Sequence, residues 1–210
     1  MEQLKEKGRL AVEILKKEYP SAECALDFKK EPWKLIVMGR LSAQCTDKRV
    51  NIVCAELFDK YPTAALLGEA DVTEVEQIIR PCGLYKVKAR DIVSECRMLT
   101  EKYGGIVPDT IDELLSFDGV GRKIANLIVS EIYGQPAIVA DTHCIRLSNR
   151  LGLVNTKDPS KVEFSLKKII EENEQTDFCH RLVTHGREVC RARAPLCTEC
   201  KLKEICDFVK

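Results

Sequence analysis

The sequence predicts an all-α protein. Apolar residues recur at intervals of three and four in several separate stretches, which is the spacing of one face of a helix. The clearest stretches are residues 50–57, 89–96, 124–132 and 178–189. Only residues 137–140 look extended, and four residues are too few to support a sheet.

Helix boundaries can be placed on the same sequence. Residues 1–19 carry Lys and Glu throughout an amphipathic pattern, so they predict a helix rather than a secretory leader. Three further helix starts are marked by capping pairs, namely Asp71 with Glu74, Thr110 with Glu113, and Asp158 with Pro159. Glycines at 104–105 and at 134 mark helix ends.

Composition and charge leave the choice of partner open. The chain has 210 residues, 45% of them hydrophobic, and no run of 18 apolar residues, so we expect a soluble, cytoplasmic protein with no membrane span. The 33 basic and 33 acidic residues balance, but a basic stretch follows an acidic one and is compatible with a basic face. This basic stretch comprises Arg80, Lys86, Lys88 and Arg90.

Four of the eleven cysteines crowd the C-terminus and predict a metal centre. Six, two and five residues separate them, and they are Cys190, Cys197, Cys200 and Cys206. Disulfides are not expected without a secretory signal. Structural zinc usually takes two close cysteine pairs, whereas an iron-sulfur cluster accepts uneven spacing. The spacing favours the cluster and leaves zinc open. The other seven cysteines are interpreted as core residues.

Cations flank these cysteines. Arg191 and Arg193 lie between the first two cysteines, and Lys201 and Lys203 lie between the last two. They could be a solvated loop, or they could contact DNA phosphates from a loop that the metal centre holds in place. We favour the second interpretation.

Residues 117–123 predict a helix-hairpin-helix. Gly119 and Gly121 allow the backbone to turn sharply between two helical patterns. Their N–H groups, together with the positive end of the second helix, would form an anion site suited to a DNA phosphate. An ordinary tight turn is the alternative.

Lys123 and Asp141 are the candidate catalytic residues. Lys123 lies in the first turn of a predicted helix, where the helix dipole disfavours the ammonium and favours the nucleophilic neutral amine. Such an amine can form a Schiff base at a sugar C1′, although a solvated surface lysine is the commoner case. Asp141 is predicted to cap the next helix, and its ionised carboxylate could stabilise positive charge on the sugar or take the lysine proton. His143 is interpreted as a packed or capping side chain.

Four motifs together resemble the endonuclease III family of iron-sulfur helix-hairpin-helix DNA glycosylases. They are residues 41–47 (LSAQCTD), the hairpin GVGRK at 119–123, VADTH at 139–143, and the terminal cysteine spacing. The resemblance spans about residues 25 to 206. It implies two helical lobes, a six-helix barrel with the hairpin at 25–135 and an iron-sulfur cluster domain formed by 1–24 with 136–210.

The resemblance also implies roles for individual residues. Lys123 and Asp141 match the family's catalytic pair, and the four terminal cysteines match the ligands of its 4Fe-4S cluster. Gln44 and Leu84 match the side chains that fill the gap left by a flipped base, for which a wedge and a hydrogen-bonding group are suited.

Two positions depart from related sequences. Asp118 stands where family hairpins commonly have proline, which places a carboxylate beside the expected phosphate site. Arg40 stands near the position of the catalytic glutamate of adenine-excising relatives, which lack the lysine. This argues against the adenine-removing branch.

The resulting hypothesis is a bifunctional DNA glycosylase and abasic-site lyase for oxidised pyrimidines. Its partner would be duplex DNA with damaged bases or abasic sites, and we expect a monomer, associated with the nucleoid if the source is prokaryotic. The alternatives are a glycosylase for a mismatched or alkylated base, a non-catalytic DNA-binding module, and an electron carrier.

Overall fold

The computed structural model describes residues 1–209 and confirms the all-α prediction. Eleven α-helices and four short 3-10 turns account for the regular structure of these residues, and no strand occurs among them. Residues 137–140 run between two helices without regular structure, and all four are buried. No helix in the described chain is long and apolar enough to cross a membrane.

The chain divides into two compact units. One is Cys24–Gly134, here called the hairpin unit. The other joins Met1–Glu23 to the chain from Gln135 onward and is called the cysteine unit.

The hairpin unit contains seven of the helices. They are α2 (Pro32–Leu41), α3 (Asp47–Lys60), α4 (Ala64–Gly68), α5 (Val72–Ile79), α6 (Tyr85–Tyr103), α7 (Ile111–Leu114) and α8 (Arg122–Tyr133), with a 3-10 turn at Arg80–Cys82. The long helix α6 packs against α2, α4 and α5, while α8 packs on α2 and α7. Leu35, Ile36, Ile92 and Leu99 are among the completely buried side chains here. Burial of each such side chain contributes about 1.5–3 kcal/mol.

The cysteine unit contains the other four helices. They are α1 (Glu2–Glu18), α9 (Thr142–Arg150), α10 (Pro159–Lys167) and α11 (Gln175–Glu188), with 3-10 turns at Glu172–Glu174, Lys203–Ile205 and Asp207–Val209. Helix α11 packs against both α1 and α9. Leu15 of α1, Leu147 of α9 and Phe178 of α11 are buried, so this core draws on distant parts of the chain.

The capping predictions are confirmed. The Thr110 hydroxyl accepts from the Glu113 amide and donates to the Glu113 carboxylate, so both residues of this pair contribute to the start of α7. Asp71 accepts from the amide of Thr73 at 2.7 Å, and Asp158 accepts from that of Lys161 at 2.9 Å. Residues 104 and 134 end α6 and α8 in the left-handed conformation.

Five of the seven cysteines outside the terminal group are buried core residues, as the sequence indicates. They are Cys54, Cys82, Cys96, Cys144 and Cys179. Cys24 and Cys45 are half-buried.

Candidate functional sites

The hairpin lies between α7 and α8 and is anchored by its own apolar residues. Phe117 is buried and stacks on the Tyr103 ring, with ring centroids 5.4 Å apart, and Val120 is also buried. Gly121 precedes α8, and no side chain caps that helix. Gly121 therefore offers no capping side chain to the first turn of α8, and its small size suits the close approach of a phosphate oxygen.

Gly119 is required by both its conformation and its surroundings. Its φ is +75°, in the region that side chains disfavour. A Cβ at this position would come within 2.4 Å of the Arg40 Nε and 2.9 Å of the Asp91 carboxylate. Arg40 and Asp91 form an ion pair at 2.6 Å between α2 and α6. The hairpin therefore rests directly on this pair.

Asp118 is engaged with the same helix. Its Oδ2 accepts a hydrogen bond from the Ser94 hydroxyl of α6 at 2.6 Å. The residue that departs from the family pattern thus adds a polar contact between the hairpin and α6.

A buried carboxyl group lies on α6 close to these charges. Glu95 is buried, and neither of its carboxyl oxygens has a hydrogen-bond partner among residues 1–209. Burial raises the pKa of Glu95 well above its usual value, and the Asp91 carboxylate raises this pKa further. The protonated form is therefore favoured, and sequence inspection gave no sign of this group.

Lys123 is the second residue of α8, directly after the hairpin. Its side chain is exposed, whereas the next seven residues of the helix are all buried. The helix is thus fixed by its apolar face while its first turn presents an amine to solvent.

Asp141 is the N-cap of α9, as predicted. Its Oδ1 accepts a hydrogen bond from the Cys144 amide at 2.7 Å, and the residue is half-buried. His143 is also half-buried, and its Nδ1 lies 3.2 Å from the Arg146 guanidinium. It is therefore held by a neighbouring side chain on the same helix.

Gln44 and Leu84 occupy two separate loops of the hairpin unit. Gln44 lies between α2 and α3, and Leu84 is the residue just before α6. Both side chains are exposed, and Leu84 is 55% exposed. Both residues also have positive φ, +55° and +50°.

The basic stretch found in the sequence does not form one face. Lys88 is completely buried, whereas Arg80, Lys86 and Arg90 are exposed. Lys88 therefore does not contribute to a basic face. Its carbonyl partners lie far away in the sequence, so its burial could not be predicted from the neighbouring residues.

The four terminal cysteines line one shared cavity. The Cys190 thiol accepts from the Arg150 guanidinium at 3.2 Å, and the Cys200 thiol lies 3.4 Å from the His185 Nε2. Among residues 1–209, no three His, Cys, Asp or Glu side chains are arranged to hold a single metal ion.

Two arginines of α9 hold the loop that follows Cys190, and the sequence analysis missed both. Arg146 donates to the carbonyls of Gly186 and Cys190 at 3.1 and 3.0 Å. Arg150 donates to the carbonyls of Arg191 and Ala192 at 2.8 and 3.1 Å. Their spacing of four places both on one helix face, which was the only available signal.

Arg191 and Arg193 are exposed on that loop. Lys201 and Lys203, between the last two cysteines, are exposed as well. Since arginines of α9 satisfy the loop carbonyls, the Arg193 side chain is available to meet an anion.

His185 is another residue that could not be identified from the sequence. One of its ring nitrogens lies 3.0 Å from the Tyr19 hydroxyl, and the other faces Cys200. Burial lowers the pKa of His185 to about 4, so the ring is neutral near pH 7. The ring therefore links α1 to the cysteine group through neutral hydrogen bonds.

Comparison with known proteins places the chain in a class. A model of the HhH-GPD superfamily of base excision DNA repair proteins matches residues 37–172. Endonuclease III of a Synechocystis strain is 44% identical over 194 residues, which cover 92% of this chain and 88% of the relative.

Solved structures agree with this placement. An endonuclease III in a non-covalent complex with DNA superposes with a TM-score of 0.93 at 42% identity, covering 98% of this chain and 96% of that one. A trapped covalent intermediate of endonuclease III with DNA matches with the same score, identity and coverage. The fold and the hairpin define a base excision repair protein. More narrowly, the chain belongs to the endonuclease III family.

The contact between Gly119 and Arg40 predicts unequal roles for the two hairpin glycines. Gly119→Ala is expected to lower the free energy of unfolding by about 2–3 kcal/mol, because it combines a left-handed φ with displacement of the ion pair. Gly121→Ala is the matched control, since its φ of −96° is ordinary and a Cβ there meets nothing within 4 Å. Urea denaturation would measure both changes, and equal losses would contradict the assignment.

Proposed function

We propose that this protein is a bifunctional DNA glycosylase and abasic-site lyase of base excision repair. It removes oxidised pyrimidines from duplex DNA and then cleaves the strand 3′ to the abasic site by β-elimination. The observation that carries the proposal is the exposed amine of Lys123, directly after the hairpin, in a chain 42% identical to an endonuclease III trapped covalently on DNA.

Lys123 is the proposed nucleophile. The neutral amine attacks the sugar C1′, the bond from C1′ to the base nitrogen breaks, and the base leaves with the bonding electrons and takes up a proton. Loss of the amine proton and opening of the sugar ring leave an imine between Nζ and C1′. Removal of a C2′ proton then breaks the C3′–O bond, and water releases the enzyme.

Asp141 is the second proposed catalytic residue. Because the Cys144 amide donates to it at 2.7 Å, the carboxylate is held in one orientation. A fixed negative charge of this kind stabilises the positive charge that develops on the sugar as the base departs.

The hairpin is proposed to bind a DNA phosphate. Gly119 and Gly121 let the backbone approach closely, and the start of α8, which has no capping side chain from Gly121, supplies amide donors. Arg191 and Arg193 are proposed as further phosphate contacts. These contacts fix the register of the enzyme on the duplex without reading its sequence.

Gln44 and Leu84 are proposed to fill the gap left by the extruded nucleotide. An exposed leucine has no packing role in the free protein, whereas it can wedge between base pairs once DNA is bound. The Gln44 amide can hydrogen-bond to the unpaired partner base.

The four terminal cysteines are proposed to hold a 4Fe-4S cluster. A single zinc ion would draw four thiolates to about 2.3 Å from one point, whereas a cuboidal cluster takes one thiolate at each of four separate corners. A cavity lined by all four cysteines, together with their uneven spacing in the sequence, supports the second arrangement. The cluster would be structural, holding the loop that carries Arg191 and Arg193.

The location follows from the substrate. Because the substrate is damaged chromosomal DNA, we place the enzyme in the cytoplasm with the nucleoid, acting as a monomer.

Borohydride trapping tests the lysine. Wild-type protein incubated with duplex DNA containing an oxidised pyrimidine and then reduced should give a covalent adduct, and Lys123→Ala should give none, because no other group forms the imine. Lys161→Ala is the matched control, since Lys161 is also an exposed lysine in the first turn of a helix. An adduct of unchanged yield with Lys123→Ala would remove Lys123 from the mechanism.

A panel of duplexes, each with a single lesion, tests the substrate class. Base release and strand cleavage would be scored separately, and oxidised pyrimidines should react fastest. A preference for a mismatched or alkylated base would replace the proposed substrate while leaving the chemistry unchanged.

Asparagine at position 141 separates capping from catalysis. Asn caps a helix about as well as Asp, so Asp141→Asn should leave the free energy of unfolding within about 0.5 kcal/mol. Single-turnover base release should nevertheless fall by roughly 10²–10⁴-fold. Asp158→Asn makes the same change at the cap of α10 and should retain full activity. Equal activity of the two variants would exclude the catalytic role of Asp141.

Metal analysis tests the cluster. The purified protein should be brown and should contain about four iron and four sulfide per chain without zinc. Cys197→Ser should lose most of the iron, because it removes one of the four thiolates, whereas Cys24→Ser should retain it. Stoichiometric zinc in a colourless protein would overturn the assignment.

A further inference from the structure

Lys88 is a buried cation that the proposed chemistry does not use. It lies in the first turn of α6 and is 0% exposed, the largest completely buried side chain among residues 1–209. Lysine is almost never fully buried unless its charge is compensated. The groups around the Lys88 Nζ should therefore indicate the role of its charge.

The compensation comes entirely from backbone carbonyls. The Lys88 Nζ donates to the carbonyl oxygens of Leu41, Ala43 and Cys82 at 2.8, 2.7 and 2.9 Å. An ammonium has three N–H donors, so each of them is used. Burial lowers the pKa of Lys88 below its usual value, while the three carbonyl dipoles favour the protonated form.

These carbonyls belong to two different loops. Leu41 and Ala43 lie at the end of α2, on the path into the Gln44 loop (residues 42–46). Cys82 closes the 3-10 turn that leads into the Leu84 loop (residues 80–84). The sequence separations of 47, 45 and 6 residues show that one side chain bridges segments distant in sequence.

Each loop contains one residue whose backbone conformation is unfavourable unless its surroundings stabilise it. Gln44 and Leu84 are two of only five non-glycine residues with positive φ in the described chain. A left-handed conformation costs such a residue about 1–2 kcal/mol and persists only where the surroundings enforce it. The Ala43 carbonyl belongs to the same peptide plane as the Gln44 amide. Its bond to Lys88 therefore acts directly on the backbone that orients Gln44.

We infer that Lys88 is a positioning residue that joins the Gln44 and Leu84 loops, so that both side chains enter the gap in the DNA as one preorganised unit. The inference rests on the proposed function, in which these two side chains fill that gap. Lys88 touches neither DNA nor the reacting sugar. Because Lys88 already fixes the two loops in the free protein, less conformational entropy is lost when DNA binds.

The test compares two substrates that differ in their need for gap filling. The first is a duplex with thymine glycol and a 2-aminopurine opposite it, whose fluorescence reports disturbance of the opposite base. The second is a single strand with a preformed abasic site, which exposes C1′ without base extrusion. Holoprotein carrying Lys88→Met retains the length of the side chain but has neither the charge nor the N–H donors.

Lys88→Met is expected to reduce single-turnover base release from the duplex by roughly 10- to 100-fold, the loss caused by small misplacements of positioning groups. The 2-aminopurine signal should fall with it. The yield of the borohydride-trapped adduct on the single strand should stay within about twofold of wild type, since Lys123 lies elsewhere in the hairpin unit.

The controls separate positioning from stability. Val93→Ala removes buried methyl groups from the same helix, outside both loop segments, and should keep the fluorescence signal. Lys88→Gln retains two N–H donors on a shorter side chain and should give an intermediate loss. If Lys88→Met does not fold, the Lys88→Gln variant decides the question.

Two results would overturn the inference. One is duplex activity and fluorescence equal to wild type in the Lys88 variants. The other is an equal loss on both substrates, which would indicate a general structural role. If wild-type protein itself neither releases the base nor gives an adduct, then it is the proposed function that fails.

Discussion

The amides at the start of each helix need an acceptor, and this constraint organises much of the molecule. In six helices a threonine or aspartate side chain at the N-cap provides this acceptor. These helices are α3, α4, α5, α7, α9 and α10. At α9 the capping carboxylate is Asp141, so one group serves both the fold and the proposed chemistry. At α8 the cap is Gly121, which offers no side-chain acceptor. The two helix starts that are assigned to function therefore differ in their caps: α9 has a side-chain acceptor, and α8 has none.

Irregular segments are held by long cationic side chains from neighbouring helices. Lys88 binds carbonyls of two loops, and Arg146 and Arg150 bind carbonyls of the segment after Cys190. A carbonyl without a partner is costly when buried, and a cation with several donors can satisfy several at once. Segments that must present side chains to DNA can thus be irregular in conformation and still be fixed in position.

Local features of the site could be predicted from the sequence, and distant ones could not. The cap at Asp141, the hairpin between α7 and α8, and the position of Lys123 each depend on residues within a few positions of one another. Lys88 was wrongly grouped with surface cations, because its partners lie up to 47 residues away. His185 and Arg146 were missed for the same reason, since their contacts join α11, α9 and the segment after Cys190.

The ion pair beneath the hairpin constrains how this sequence could diverge. Arg40 neutralises Asp91, contacts Gly119 and lies near the protonated Glu95. A glutamate at position 40 would place a third carboxyl group beside these two and would remove their cation. Positions 40, 91 and 95 therefore cannot be substituted independently of one another. A new residue at position 40 would require compensating substitutions on α6 before the hairpin could tolerate it.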